Sequence, residues 1–414
     1  MPGTVHVIGA GLAGLAAAIR LASRAAGVSL HEAAGQAGGR CRSYHDPALD
    51  MVIDNGNHLV LSGNSAALAY LDAIHATETL AGPEHAEFAF VDFATGERWV
   101  LRIGDGPLPW WVFDGGRRVP GTKTVDYLAL IRMLWATEGK TICETIGCTG
   151  PLYERFARPL WLAALNTVPQ EASAQLAAAV TRATLGRGGK ACRPLIACDG
   201  LGNAFVEPAL RFLRDHGVPI AFGHRLRALS FSGEKVSALE FGEERIMIGR
   251  DDCVILAVPP VPAAELVPAL ATPTEFRAIV NAHFRIDPPA SLAPITGIVN
   301  GTIEWVFGFK NRISVTISAA DRLLDTPREA LARKVWQEVA VVAGLPGPMP
   351  PWQIVRERRA TFAATPAQNA KRPPSRTGWR NLFIAGDWTD TGLPATIEGA
   401  VQSGNRAADL AACL

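Results

Sequence analysis

No uninterrupted apolar run in this 414-residue sequence reaches the roughly 18 to 20 residues of a membrane-spanning helix. That absence argues against helices crossing a bilayer, although 48% of the residues are hydrophobic. No basic stretch or cleavage pattern precedes the first predicted strand, which points to a cytoplasmic protein. The formal net charge is only +1 and the basic residues are scattered, which leaves no case for a nucleic-acid partner. The seven cysteines, at positions 41, 143, 148, 192, 198, 253 and 413, form no C-x-x-C pair and no zinc-type spacing with histidine. An odd, irregular set predicts free thiols in a reducing compartment and no metal site. Repeats and low-complexity segments are also missing, so the length suits one large or two interleaved domains.

What is present is organised around the start. Val5 to Ile8 read as a buried strand that runs into Gly9-Ala10-Gly11-Leu12-Ala13-Gly14, a G-x-G-x-x-G turn. An Ala- and Leu-rich helix follows to Arg24, and a second strand from Val28 ends at Glu32, 23 residues after Gly9. This is the order of a dinucleotide-binding βαβ unit. The helix N-terminus faces the pyrophosphate, and the acid accepts the ribose hydroxyls while disfavouring a 2′-phosphate. Beyond it, Gly38-Gly39-Arg40 places an open backbone and a cation beside the same pyrophosphate. At the other terminus Asn381 to Asp387 is a buried strand delivering an acid. A closing helix begins near Pro394.

The Gly-Gly-Arg extension resembles the FAD-binding signature of amine oxidases and carotenoid desaturases, and the whole chain is similar to the flavin amine oxidase and phytoene desaturase superfamily. Within it, Asp54 to Leu61, Pro159 to Thr167 and Ile279 to Phe284 narrow the resemblance to the hydroxysqualene dehydroxylase family, the squalene-associated FAD-dependent desaturases of bacterial hopanoid pathways. Asn57 departs from the Gln or Gly usual there. The resemblance implies an α/β fold, with a Rossmann-like FAD-binding domain (residues 1–80, 190–260 and 375–414) interleaved with a substrate domain. That second domain, residues 81–189 and 261–374, would hold a mixed sheet and a helical cap.

It also implies non-covalent FAD in contact with Gly9, Ala10, Gly11, Leu12, Ala13, Gly14, Glu32 and Ala33. Further contacts would come from Gly38, Gly39, Arg40, Gly56, Asn57, Leu226, Gly386, Asp387, Thr396 and Ile397. The implied reaction removes the hydroxyl of hydroxysqualene reductively; an isoprenoid desaturation is the alternative. An amine oxidase or a non-catalytic lipid carrier ranks below both. A long apolar isoprenoid needs a tunnel, for which Trp161, Asn166, Trp305, Phe307 and Trp352 are the candidate walls, with Phe309 beside them. Aromatic faces there would steady an allylic cation by roughly 0.5–2 kcal/mol per ring. Asp54 and His58 are the candidate acids for the departing hydroxyl, histidine because it titrates near neutrality. A lipid substrate also raises peripheral contact with the inner face of a membrane. No residue pattern points to an electron donor.

Between these landmarks, apolar spacing predicts helices over 64–80, from Thr124 to about 135, over 151–165 with a kink at Pro159, and over 169–185. Thr326-Pro327-Arg328-Glu329 reads as a capping box opening a helix to about Ala343.

Overall fold

The computed structural model describes residues 3–413. The strand Thr4–Ile8 enters the turn at Gly9, whose φ of +106° sends the chain back as helix Leu12–Ala22. Every residue of that helix except Arg20 is buried, because the sheet covers one side and the closing helix Ile397–Ala412 the other. Small side chains make this crossing close: a Cβ at Gly404 would stand 2.1 Å from the Ala13 carbonyl oxygen. At the rim, Asp409 pairs with Arg20 (2.8 Å) and Arg24 (2.9 Å), exposed contacts that contribute ~0–1 kcal/mol.

Five parallel strands form the first sheet, in the order Ile220–Ala221, Gly27–His31, Thr4–Ile8, Cys253–Leu256, Leu382–Ile384. Cys253–Leu256 is buried at all four positions, as a parallel strand covered on both faces must be. Seven strands form the second sheet, in the order Trp352–Phe362, Phe276–Phe284, Arg312–Ile317, Trp305–Phe309, Ile295–Val299, Glu87–Asp92, Arg98–Arg102. All its pairs are antiparallel except Ile295–Val299 against Glu87–Asp92. Alternation divides this sheet into two unlike faces. Val280, Phe284, Val306, Val315 and Ile317 pack on helix Arg328–Ala343. Phe90, Trp305, Phe307 and Phe309 face Trp111, Leu152 and Phe156 of the helical layer that spans residues 110–187.

Several local expectations are corrected. Cys143 and Cys148 form a disulfide: the short helix Ile142–Ile146 and the turn at Gly147 (φ +67°) bring their Cα atoms to 4.8 Å. The other five cysteines are free. The expected kink at Pro159 is taken up earlier, by a π turn over Tyr153–Ala157, and the same device, Gly202–Val206, precedes Pro208. A proline has no N–H to give the carbonyl four residues back and its ring crowds it, so the ladder widens by one residue just before. Thr326 does not cap: the helix starts at Arg328 on Pro327, and Glu329 turns to Arg333 at 2.6 Å. The 64–80 helix stops at Ala73, ahead of His75 at φ +54°, and the 169–185 helix is confined to Ala174–Ala183, capped by Ser173.

Candidate functional site

At the C-terminal edge of the parallel sheet three glycines do two different jobs. A Cβ at Gly9 would meet the Ala257 carbonyl oxygen at 2.4 Å, and one at Gly14 the Gly9 carbonyl oxygen at 1.8 Å, so both are packing requirements. At Gly11 a Cβ would meet nothing within 4 Å, and the helix that starts there carries no side-chain cap. The sequence therefore holds open a space at an uncapped helix N-terminus, which is what a pyrophosphate requires. Gly38 bridges to Gly11 in parallel fashion and donates its N–H to the Ala10 carbonyl at 2.8 Å, so the Gly38-Gly39 loop forms the facing wall.

Glu32 follows the second strand and accepts the Ala10 amide at 2.7 Å and the Ala34 amide at 2.8 Å. Its carboxylate is thus aimed and still has lone pairs for two ribose hydroxyls. Ala33 is exposed beside it, and Leu226 is buried on the segment that follows His224, whose amide bonds the Glu32 carbonyl at 2.8 Å. Removing the carboxylate should weaken flavin binding by about 10- to 100-fold, the value of one or two charge-assisted hydrogen bonds. Titration of Glu32→Ala apoprotein with FAD, followed by fluorescence quenching, reads this; affinity equal to the parent's would remove Glu32 from the site.

Arg40 spans to the other terminus. Its guanidinium contacts Asp387 Oδ1 at 2.7 Å and the Ala360 carbonyl at 2.5 Å. Gly386 sits where a Cβ would strike the Trp388 indole, and its amide donates to Ser403 at 2.9 Å. The buried Arg372 holds the carbonyls of Asp387 and Thr389 from behind. Thr396 caps the closing helix by accepting the Gly399 amide, which places Ile397 at its first position.

The Asp54-to-His58 loop lies between the two sheets. Asn281 and Thr316, neighbours across the second sheet, hold it: Asn57 Nδ2 donates to Thr316 Oγ1 at 3.1 Å, and Thr316 Oγ1 to Asn281 Oδ1 at 2.9 Å. Asn57 Oδ1 is buried without a partner, and the Cβ position of Gly56 lies 3.2 Å from Asn281 Nδ2. An unsatisfied buried acceptor at a glycine loop beside the cradle fits a ligand with hydrogen-bond donors, as a flavin ring has. The residues present fit FAD.

The two candidate acids stand in different surroundings. Asp54 is fully engaged: it accepts Ser43 Oγ at 2.6 Å and the Leu201 amide at 2.8 Å, and faces the Arg312 guanidinium at 3.4 Å. It is a positioning residue that ties the loop to the second sheet. His58 has its pKa pushed down to about 4, by burial first and then by the neighbouring Arg40 charge, so it is neutral at pH 7. A neutral imidazole is a weak proton donor, which argues for a lining role over a general-acid one.

The aromatic candidates separate into groups. Trp305, Phe307 and Phe309 lie on one sheet face in one apolar cluster with Phe90 and the cap. Trp161 is fully buried inside the cap, its Nε1 on Thr181 at 3.4 Å, and Trp352 packs with Phe284 on the helix-covered side. Asn166 is spent on structure: its amide donates to Thr361 at 3.0 Å and accepts the Ala319 amide at 2.7 Å. Only the first group shares one sheet face and one cluster. Among the described residues no His, Cys, Asp or Glu cluster suits a metal ion, and no helix is long and apolar enough to cross a membrane.

Two further buried histidines set the acid response. His31 is lowered to about 4 by burial and by His6 and His224, and His283 to about 3 by burial and by Arg312. Both folded values lie below the unfolded 6.5, so the unfolded chain takes up the protons. Their contribution is complete above about pH 6.5 and is lost as pH falls from there toward 4 and then 3. Each histidine accounts for up to ~1.4 kcal/mol for every pH unit that separates its folded from its unfolded value. Urea midpoints should therefore decline between pH 6.5 and 4, and His283→Gln should flatten the decline; a midpoint constant over that range would contradict this.

The chain matches the family described as flavin containing amine oxidoreductase over residues 12–412. It is 60% identical to the hydroxysqualene dehydroxylase of Rhodopseudomonas palustris, over 99% of this chain and 98% of that one. It is 56% identical to the hydroxysqualene dehydroxylase of Sinorhizobium fredii, over 99% of each. Among solved structures, cyclohexylamine oxidase from Brevibacterium oxydans matches with a TM-score of 0.72 at 15% identity, covering 100% of this chain and 99% of that one. A putative protoporphyrinogen oxidase from Exiguobacterium matches at 0.68 and 16%, covering 98% of each. At such low identities these two speak for the fold alone.

Proposed function

The chain belongs to the flavin containing amine oxidoreductase family and, within it, to the hydroxysqualene dehydroxylases, and from that premise we propose that it is an FAD-dependent oxidoreductase that converts hydroxysqualene to squalene. The observation that carries the reading is near-full-length identity of 60% to a relative of that name. The wall of Trp305, Phe307 and Phe309 is what an apolar C30 chain needs for burial. The site residues named above are proposed in the same sense: the glycine turn and Glu32 for the nucleotide, the Gly56-Asn57 loop for the ring.

When bound and in its two-electron-reduced form, the flavin would supply the hydride that replaces the hydroxyl and be oxidised to FAD; the balance is completed by one proton, which leaves with the hydroxyl as water. The protein's own part is to hold the alcohol in a dry place, so that water does not capture an allylic cation, and to face that cation with aromatic rings. Because His58 is neutral, we assign it to lining and orienting.

Reduced holoprotein mixed anaerobically with hydroxysqualene should yield squalene and regain its yellow colour. Should oxidised protein bleach on a more saturated isoprenoid, with the reduced form inert to the alcohol, a desaturase would replace this assignment. His58→Ala should keep its flavin and lose less than about tenfold in kcat; a loss of ~10²-fold or more would restore it as the general acid.

A further inference from the structure

Among the described residues twelve large hydrophobic side chains are exposed, and seven of them fall between positions 108 and 135. Leu108, Trp110 and Phe113 stand on the loop before the cap, with the Trp110 and Phe113 rings 5.9 Å apart. Val125, Leu128, Ile131 and Trp135 follow at spacings of three, three and four, one stripe along the turn Thr124–Tyr127 and helix Leu128–Met133. Tyr127 and Met133, on the opposite side, are the ones buried. Loop and helix belong together: Thr124 Oγ1 donates to the Val112 carbonyl at 3.0 Å and receives Arg118 Nη1 at 2.8 Å. Trp135 and Trp110 are 72% and 68% exposed, a cost in water that a monomer rarely bears at one place.

The charge around the patch has one sign in excess. Arg117, Arg118, Lys123, Arg132 and Lys140 outnumber Asp105, Asp114, Asp126 and Glu138 by one, and Arg182 and Arg187 flank the same surface against the single acid Glu144; none of these basic residues forms an ion pair among the described residues. Arg182 reaches the patch directly, donating to the Leu134 carbonyl at 2.9 Å. An apolar stripe with tryptophans, edged by unpaired cations, complements an anionic lipid surface.

Behind the stripe a cleft of about 210 Å³ runs between Leu130 and the segment Ile146 to Ala157. Leu152 lines it and also packs in the cluster that holds Trp305 and Phe307. We propose that residues 108–135 dock on an anionic bilayer, and that this cleft is where the isoprenoid passes from lipid to the aromatic wall. The entry role rests on the proposed function; the docking does not.

Holoprotein sedimented with vesicles of phosphatidylcholine and phosphatidylglycerol, without substrate, tests it. Binding to the anionic vesicles is expected, weakened by added salt. Trp110→Ser/Phe113→Ser/Trp135→Ser should bind at least about tenfold less tightly with its flavin absorbance intact, and its kcat/KM for vesicle-borne alcohol should fall while that for detergent-dispersed alcohol holds. Arg117→Glu/Lys123→Glu/Arg132→Glu should lose the preference for anionic vesicles. Wild-type protein that ignores both vesicle types, or apolar and charge variants that bind as it does, would overturn docking, as would concentration-dependent self-association abolished by the apolar variant. Docking retained together with an inactive enzyme would instead count against the dehydroxylase reading.

Discussion

Gly11→Val is expected to give a folded protein that purifies without flavin. Gly11 has φ of −72° and ψ of 175°, a region open to valine, and its Cβ direction is empty for 4 Å. No protein atom within 4 Å opposes a β-carbon there. The pyrophosphate does, because the branched group would occupy its place and screen the helix N-terminus. Affinity should fall by at least about 10³-fold, ~4 kcal/mol, with little change in thermal midpoint of the apoprotein. Gly14→Val is the contrasting control: its Cβ falls 1.8 Å from the Gly9 carbonyl oxygen, so the turn itself must break and soluble protein should be scarce. A fully yellow Gly11→Val preparation would place the nucleotide elsewhere.

Asp54→Ala should cost more stability than any other single polar change at the site, about 3–5 kcal/mol. Arg312 is buried with its side chain 5% exposed, stacked on Phe309 and carrying a pKa lowered by desolvation despite Asp54. Deleting the carboxylate leaves that cation without its counter-charge, and also strands Ser43 Oγ and the Leu201 amide. The double variant Asp54→Ala/Arg312→Met should recover much of the loss, since it removes the uncompensated charge. Chemical denaturation of the four proteins in the cycle measures this coupling; additive losses would show that the pair does not act as a unit.

The glycine turn, Glu32 and the Asn381-to-Asp387 strand are legible because their signals are local: a strand, a turn and an acid within 30 residues. The polar clamp is not. Asn281 and Thr316 lie on strands whose outward pattern is ordinary, and their partner Asn57 is 224 and 259 residues away. The alternation of the Ile279-to-Phe284 stretch does not show that Asn281 and His283 stand on the face turned to the loop. The charge state of His58 is not legible for a related reason: it depends on Arg40 and on burial, which only the folded chain brings about. The Cys143–Cys148 bridge escaped because its spacing matches no motif and depends on a glycine turn between.

The crossing of the first and last helices has a consequence for how the chain is made. Helix Leu12–Ala22 leaves the ribosome before the surface that covers its outer side, Ile397–Ala412, which is completed about 390 residues later. At usual elongation speeds this leaves the Ala-rich helix half-covered for roughly 20 to 80 s. During that interval the nucleotide sheet also lacks its Leu382–Ile384 edge beside Cys253–Leu256. Flavin loading at the complete site must therefore await the closing helix, and a chain stalled before Ile397–Ala412 would offer chaperones and proteases a half-covered apolar helix.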